Sequence, residues 1–229
     1  ARAERVAEIT QRHGVAAMTV AEAAAADLVL IAVKPADVPG VLTQLHNHLS
    51  RDALVLSIAA GVTLATLQGG LPDGTPVVRA MPNTPARVGQ GMTAISPGDH
   101  ATADDLERVS EVLATVGRVV TVPEKHQDAV TAVSGSGPAY LFLVAEAMIE
   151  GGVHCGLSRD IATELTVQTL LGSATLLRES GEHPALLREN VTSPGGTTAA
   201  ALRRLEDHGV RSAFLAAVEA ARNRSVELG

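Results

Sequence analysis

Aromatic side chains are almost missing from this chain: Tyr140, Phe142 and Phe214 are its only three, and it has no Trp. A core must then be assembled from Ala, Val, Leu and Ile, small side chains that suit tight packing of helices on helices or on a sheet. Sites that stack sugars or single-stranded nucleic acid on aromatic platforms are excluded on the same ground. Cysteine is scarcer still. Cys155 stands alone, so no internal disulfide forms, and beside His154 it lacks the second thiol of a zinc cluster. No metal is expected, and a reducing cytoplasm is the natural compartment. Positive charge is also in short supply, with 18 Lys and Arg against 25 Asp and Glu and a formal charge of -7, which argues against bulk binding of nucleic acid. No stretch reaches the roughly 18 uninterrupted apolar residues of a membrane span, since the longest candidate, Pro138 to Ile149, is broken by Glu146. No basic-then-apolar leader opens the sequence, so neither membrane nor export is expected.

What is present is the material of a folded chain: 229 residues, 46% hydrophobic and 19% charged. At about 100 to 200 residues per domain, that length holds one large domain or two small ones. Through Val122 the pattern alternates between helical and strand periods, the mark of an α/β layer structure. Ala3 to His13 reads as an amphipathic helix stopped by Gly14, and Val15 to Met18 as a short strand. Asp27 to Val33 is a continuous apolar run suited to a parallel strand buried on both faces. Pro35 opens the next helix. Further strands are expected at Ala53 to Ile58, Val77 to Met81, Thr93 to Ser96 and Arg118 to Val122, with a helix from Ala103 to Thr115. After Pro123 everything reads as helix and turn: Pro138 to Gly151, apolar on nearly every face; Ser158 to Glu179, with Ser158 as N-cap; and Arg211 to Leu228. The fold class is therefore α/β then all-α, a Rossmann-like N-terminal domain at residues 1–123 and a helical domain at 124–229. So apolar a helical set of about 100 residues is too thin to stand alone and is expected to pack against another copy.

Three strand ends carry ligand-binding character, because ligands of open α/β sheets bind at the carboxyl edge. Ala32, Val33, Lys34 and Pro35 end the first run; Ala59 and Ala60, within SIAAG, end the second; Asn83 and Thr84, within MPNTP, end the third. Each alone is also ordinary loop chemistry. Together they describe a shared crevice for a dinucleotide. The segment Val191 to Thr198, VTSPGGTT, leads into the helical run from Ala199 and offers hydroxyls on Ser193, Thr197 and Thr198, close backbone approach at Gly195 and Gly196, and unpaired helix N–H groups. That combination suits a small anion such as a carboxylate, although a Gly-rich turn with a Thr cap has the same composition. Ser134 to Pro138, SGSGP, introduces the apolar helix in a similar way. No acid–base carboxylate pair stands out, and no nucleophile elbow occurs. His46 and His48, two apart on a helix, cannot face one ligand. Glu146 and Glu150, four apart, share a face near a helix end at Gly151 and Gly152, where a solvated or interface role is expected.

These motifs resemble the pyrroline-5-carboxylate reductase family. The likeness is carried by AVKP at Ala32 to Pro35, AAGVT at Ala59 to Thr63, MPNTP at Met81 to Pro85, AVSGSGPAY at Ala132 to Tyr140, QTLLG at Gln168 to Gly172, HP at His183 and Pro184, VTSPGGTT, and the ending at Arg224 to Gly229. It covers essentially the whole chain. The resemblance implies NADPH-dependent reduction, with NADH as the alternative, of the cyclic imine 1-pyrroline-5-carboxylate to L-proline. It also implies a helical homodimer further assembled into decamers, and a substrate lying where the two domains meet. Its carboxylate would be held at Ser193, Gly195, Gly196, Thr197 and Thr198, with Thr198, the catalytic candidate, at the ring nitrogen. The family's opening strand, G-x-G-x-x-G turn and first helix are not found at the front, where an opening βαβ segment is expected to be missing. Arg2 and Arg5 are candidate readers of the cofactor's ribose phosphate, or simply a surface helix face. Two alternatives stay open: a catalytically weak oligomeric scaffold of the same family, and a β-hydroxyacid-type dehydrogenase. The latter uses a catalytic lysine in its second domain, and the only lysines here are Lys34 and Lys125.

Overall fold

The computed structural model describes residues 3–228, so Arg2 and Gly229 lie outside the described residues. The chain forms two compact units. One comprises the residues up to Gly135 together with those from Arg222 onward, and the other is Ser136–Ala221.

In the first unit, α1 (Ala3–His13) and α2 (Val20–Ala23) precede β1 (Leu28–Ile31); α3 (Val38–His46), β2 (Leu54–Ser57), α4 (Leu64–Gly69) and β3 (Val77–Met81) follow. Then come β4 (Gly91–Pro97), α5 (Ala103–Ala114), β5 (Gly117–Thr121) and α6 (Gln127–Val130). The five strands lie in the order β1-β2-β3-β4-β5. The first three run parallel, β4 is antiparallel to β3, and β5 is parallel to β4. The carboxyl ends of β1, β2 and β3 therefore share one edge of the sheet with the starts of β4 and β5.

Aliphatic side chains cover both faces. Val29, Ile31, Val55 and Val77 pack with Leu42, Leu45 of α3 and Leu64, Leu67 of α4 on one side. On the other, Leu54, Leu56, Val78, Ala80 and Ile95 meet Val109 and Leu113 of α5. Each buried Val, Leu or Ile contributes about 1.5–3 kcal/mol, and no aromatic ring takes part. Capping boxes start two of the helices: Thr19 with Glu22 at α2, and Thr102 with Asp105 at α5.

Four local expectations are corrected. Val15 to Met18 is not a strand, because it has no sheet neighbour and the Thr19 cap already starts α2. The Asp27–Val33 run is not buried on both faces: β1 is the sheet's edge and Leu30 is 52% exposed, whereas β2 is buried at every residue. The helix after Lys34 begins as a 3-10 turn, Pro35–Asp37, and α3 ends at His46, which leaves His48 outside it. Gly151 and Gly152 do not end their helix, which continues to His154.

The second unit is helical: α7 (Gly137–His154), α8 (Arg159–Ser180), α9 (Pro184–Asn190) and α10 (Thr197–Asp207), with α11 (Val210–Leu228) returning the chain to the first unit. Ser158 caps α8 by accepting from the Ile161 N–H. Large apolar side chains stay uncovered in a single copy, among them Leu141, Phe142, Leu143, Leu165, Leu171 and Leu215. The continuous helical run Glu124–His154 is long and apolar enough, by length and composition, to cross a membrane. Glu146 and Glu150 interrupt its apolar surface, and Glu150 is tied to Arg159 of α8 at 2.7 Å.

Candidate functional site

The crevice expected from three strand ends is built in the first unit by strand direction alone. Because β1 to β3 are parallel, Ala32–Pro35, Ser57–Gly61 and Met81–Pro85 follow their carboxyl ends side by side. Ala32, Val33, Lys34, Pro35, Ala60 and Thr84 are exposed, while Ala59 is buried and Asn83 partly so. Small side chains at Ala32, Ala59 and Ala60 leave the main chain open to close approach, which fits a flat dinucleotide along this edge.

The loops at this edge are held from beneath by polar side chains. Ser57 Oγ accepts from the Ala59 N–H at 3.3 Å and shapes the turn after β2. Thr63 caps α4, and Leu64 N–H donates to Glu124 Oε1 at 2.6 Å. The same carboxylate oxygen accepts from Arg79 Nη1 at 2.9 Å, where the arginine side chain is 8% exposed and the glutamate 32%. Arg79 sits opposite Ser57 on β2 and Ser96 on β4, so a buried polar row crosses the sheet. Ser96 Oγ donates to the Val122 carbonyl, and Gln127 Nε2 donates to Ser96 Oγ at 2.8 Å. Arg79, Glu124, Ser96 and Gln127 were all passed over by sequence reading. The one signal available was the single charge inside the strand VVRAM.

Asn83 joins two motifs that read separately. Its Oδ1 accepts from the Met92 N–H at 2.8 Å, and its Nδ2 donates to the carbonyl and to Oγ of Ser134, both at 3.2 Å. Ser134 lies in a π-helical turn, Thr131–Gly135. A Cβ on Gly135 would come within 2.7 Å of Met81 Cε, so the end of the methionine side chain lies close against this turn.

In the second unit, Ser193–Gly196 forms the tight turn before α10. The Gly196 N–H donates to the Ser193 carbonyl at 3.0 Å, and Gly195 has φ +68. A side chain on Gly196 would collide with Ser193 Oγ. The first intrahelical bond is Ala200 N–H to the Gly196 carbonyl, and the Gly196 N-cap offers no side chain. The N–H groups of Thr197, Thr198 and Ala199 thus point out of the helix end without helical partners, beside the hydroxyls of Ser193, Thr197 and Thr198. Unpartnered amides and a helix dipole at such an end are chemically suited to an anion.

Carboxylate pKa values move at two places away from these loops. Hydrogen bonds from the Thr19 main chain and hydroxyl hold Glu22 below its ordinary value. Hydrogen bonding and the positive charge of Arg159 do the same for Glu150. Among the described residues no group of three or more His, Cys, Asp and Glu is placed to hold a metal ion.

Comparison with known proteins accounts for both halves of this architecture. Residues 124–228 match the family model "Pyrroline-5-carboxylate reductase dimerisation", and residues 1–61 match "NADP oxidoreductase coenzyme F420-dependent". A pyrroline-5-carboxylate reductase of Corynebacterium melassecola is 47% identical over 231 residues, covering 99% of this chain and 86% of its own length. The structure of such a reductase from Coxiella burnetii superposes with a TM-score of 0.93 at 37% identity, over 99% of this chain and 85% of that one. A Plasmodium falciparum pyrroline carboxylate reductase with NADP bound gives 0.86 at 34% identity, over 93% and 81%. With its sheet, its helical set and nearly half its residues shared along almost its whole length, the chain belongs to the pyrroline-5-carboxylate reductase family.

Proposed function

We propose that this protein reduces 1-pyrroline-5-carboxylate to L-proline at the expense of NADPH. The observation that carries this reading is the family likeness along 99% of the chain, including the segment VTSPGGTT and the open amino end of α10 that follows it. The substrate is a small ring with one carboxylate, and an uncapped helix end flanked by hydroxyls is matched to such an anion.

The roles divide between the two loops. Ser193, Gly195, Gly196, Thr197 and Thr198 hold the carboxylate through hydroxyls and main-chain N–H groups. Ala32, Val33, Lys34, Pro35, Ala59, Ala60, Asn83 and Thr84 form the edge along which the dinucleotide lies, Asn83 by position in the loop rather than through its engaged amide. Reduced nicotinamide, when bound, supplies the hydride that the imine carbon accepts. Thr198 places its hydroxyl at the ring nitrogen and keeps a proton there, directly or through a water, so that the nitrogen ends as the amine of proline. Positioning and charge matching supply most of the effect, which agrees with a site that has no strong acid–base pair. A β-hydroxyacid-type mechanism is disfavoured, since no lysine follows Lys125.

The exposed apolar faces of α7 and α8 are covered in a homodimer, with decamers as the higher assembly. The exposed free thiol of Cys155 suits a cytoplasmic setting. Thr198→Ala tests the assignment: turnover on pyrroline-5-carboxylate should fall about 10²-fold, the scale of losing one positioned proton-handling group, while the melting temperature holds. Wild-type kinetics in that variant would remove Thr198 from the mechanism.

A further inference from the structure

We propose that Asn83 is a positioning residue of this reductase, a latch that fixes the turn by which the chain leaves the first unit and thereby governs hydride transfer. An asparagine amide has two N–H donors and one carbonyl oxygen. The Nδ2 of Asn83 donates to Ser134, and its oxygen takes the Met92 N–H. The residue it grips is one short of where the chain leaves the first unit, in the π-helical turn Thr131–Gly135. Such turns leave carbonyls without regular helical partners and recur at functional sites, and Asn83 fills that need at the Ser134 carbonyl. Met81 reinforces the latch by closing on Gly135 from the same strand end.

The chain's return is held on the same helical run. Ser225 of α11, 7% exposed, donates from Oγ to Asp128 Oδ1 at 2.7 Å, one turn before the π segment. The backbone of Leu228 then lies against Gly61, in the loop after β2. Both crossings of the chain between units are thus anchored by a polar side chain on the first unit. The inference rests on the functional reading above, in which the hydride donor is bound by loops of the first unit and the acceptor's carboxylate by Ser193–Thr198 of the second. On that reading Asn83 sets the course of the loop after β3 along which the hydride donor lies, and a misplacement of about 1 Å at a reacting centre costs about 10²-fold.

Asn83→Asp in the full chain isolates the effect, because aspartate keeps an acceptor for Met92 and loses the Nδ2 donor to Ser134. The expected result is a kcat about tenfold lower or more, and a larger deuterium isotope effect with NADPH deuterated at the transferred position. NADPH affinity by fluorescence titration should stay within about twofold, and amide exchange across residues 131–137 should speed up. Ser134→Ala, which removes one of the two acceptors, should shift the same quantities in the same direction by a smaller factor and serves if the aspartate variant does not fold. An NADPH affinity about tenfold weaker with an unchanged isotope effect would make Asn83 a cofactor ligand and overturn the latch. Unchanged exchange at residues 131–137 would overturn it as well. If the wild-type protein does not reduce pyrroline-5-carboxylate, the functional reading fails; exchange that quickens in Asn83→Asp would still uphold the latch itself.

Discussion

Asn83 Nδ2 donates to both the carbonyl and Oγ of Ser134, each at 3.2 Å, across 51 residues of sequence. The loop after β3 and the turn that introduces α7 are consequently one structural object. Removing the hydroxyl alone, in Ser134→Ala, leaves the carbonyl bond intact and should lower stability by about 0.5–1.5 kcal/mol, the usual worth of one hydrogen bond. A urea titration reads this as a lower midpoint with an unchanged slope. An unchanged midpoint would mean that Oγ contributes nothing to the clamp.

Among the described residues, Arg79 and Glu124 form the one ion pair with a buried partner. Glu124→Ala would leave the guanidinium without its carboxylate and the Leu64 N–H without an acceptor. The expected loss is about 3 kcal/mol, the lower end for stripping the partner from a buried charge, because Glu124 is itself a third exposed. Replacing both residues, Arg79→Met with Glu124→Leu, should recover a large part of that loss. Additive losses in the double variant would show that the pair is not coupled.

Much of the fold was legible because its signals are local. The runs DLVLIAV, LVLS and VVRAM announced three strands, Gly14 stopped α1, and Ser158 marked the start of α8. The strand ends bearing AVKP, SIAAG and MPNTP could be placed on one edge from order and direction alone. The antiparallel entry of β4 left no such trace, nor did the exposed face of β1, which depends on which strands neighbour it. The polar scaffold under the loops was equally silent: Glu124 meets Arg79 across 45 residues and Gln127 meets Ser96 across 31, distances at which periodicity carries no information. The amino end of α10 was readable from GGTT. That Ser193 folds over Gly196 rather than capping the helix was not.

This last detail makes Gly196→Ala informative. The added methyl would displace the Ser193 hydroxyl, a movable group, so the fold should tolerate the change while the carboxylate-binding loop does not. KM for pyrroline-5-carboxylate should rise about tenfold, equivalent to one lost hydrogen bond to a charged group, with the melting temperature nearly preserved. A preserved KM would place the carboxylate elsewhere.

Glu150 and Arg159 tie α7 to α8 through two contacts, at 2.7 and 3.3 Å. Because the arginine lowers the carboxyl pKa in the folded state, the pair's contribution is fully present above the ordinary glutamate range and is lost as pH falls through the depressed folded value. Titration of the Glu150 side chain by NMR should show protonation below that of a free glutamate, returning to the ordinary range in Arg159→Ala. Identical titrations in the two proteins would remove the pair from any account of acid stability.

The central claim is chemical and is tested by one measurement: the purified full chain is mixed with NADPH and pyrroline-5-carboxylate, and loss of the reduced nicotinamide is followed together with formation of L-proline. Reduction with one proline formed per NADPH consumed is the predicted result. A properly folded, oligomeric protein that oxidises no NADPH and yields no proline would contradict it.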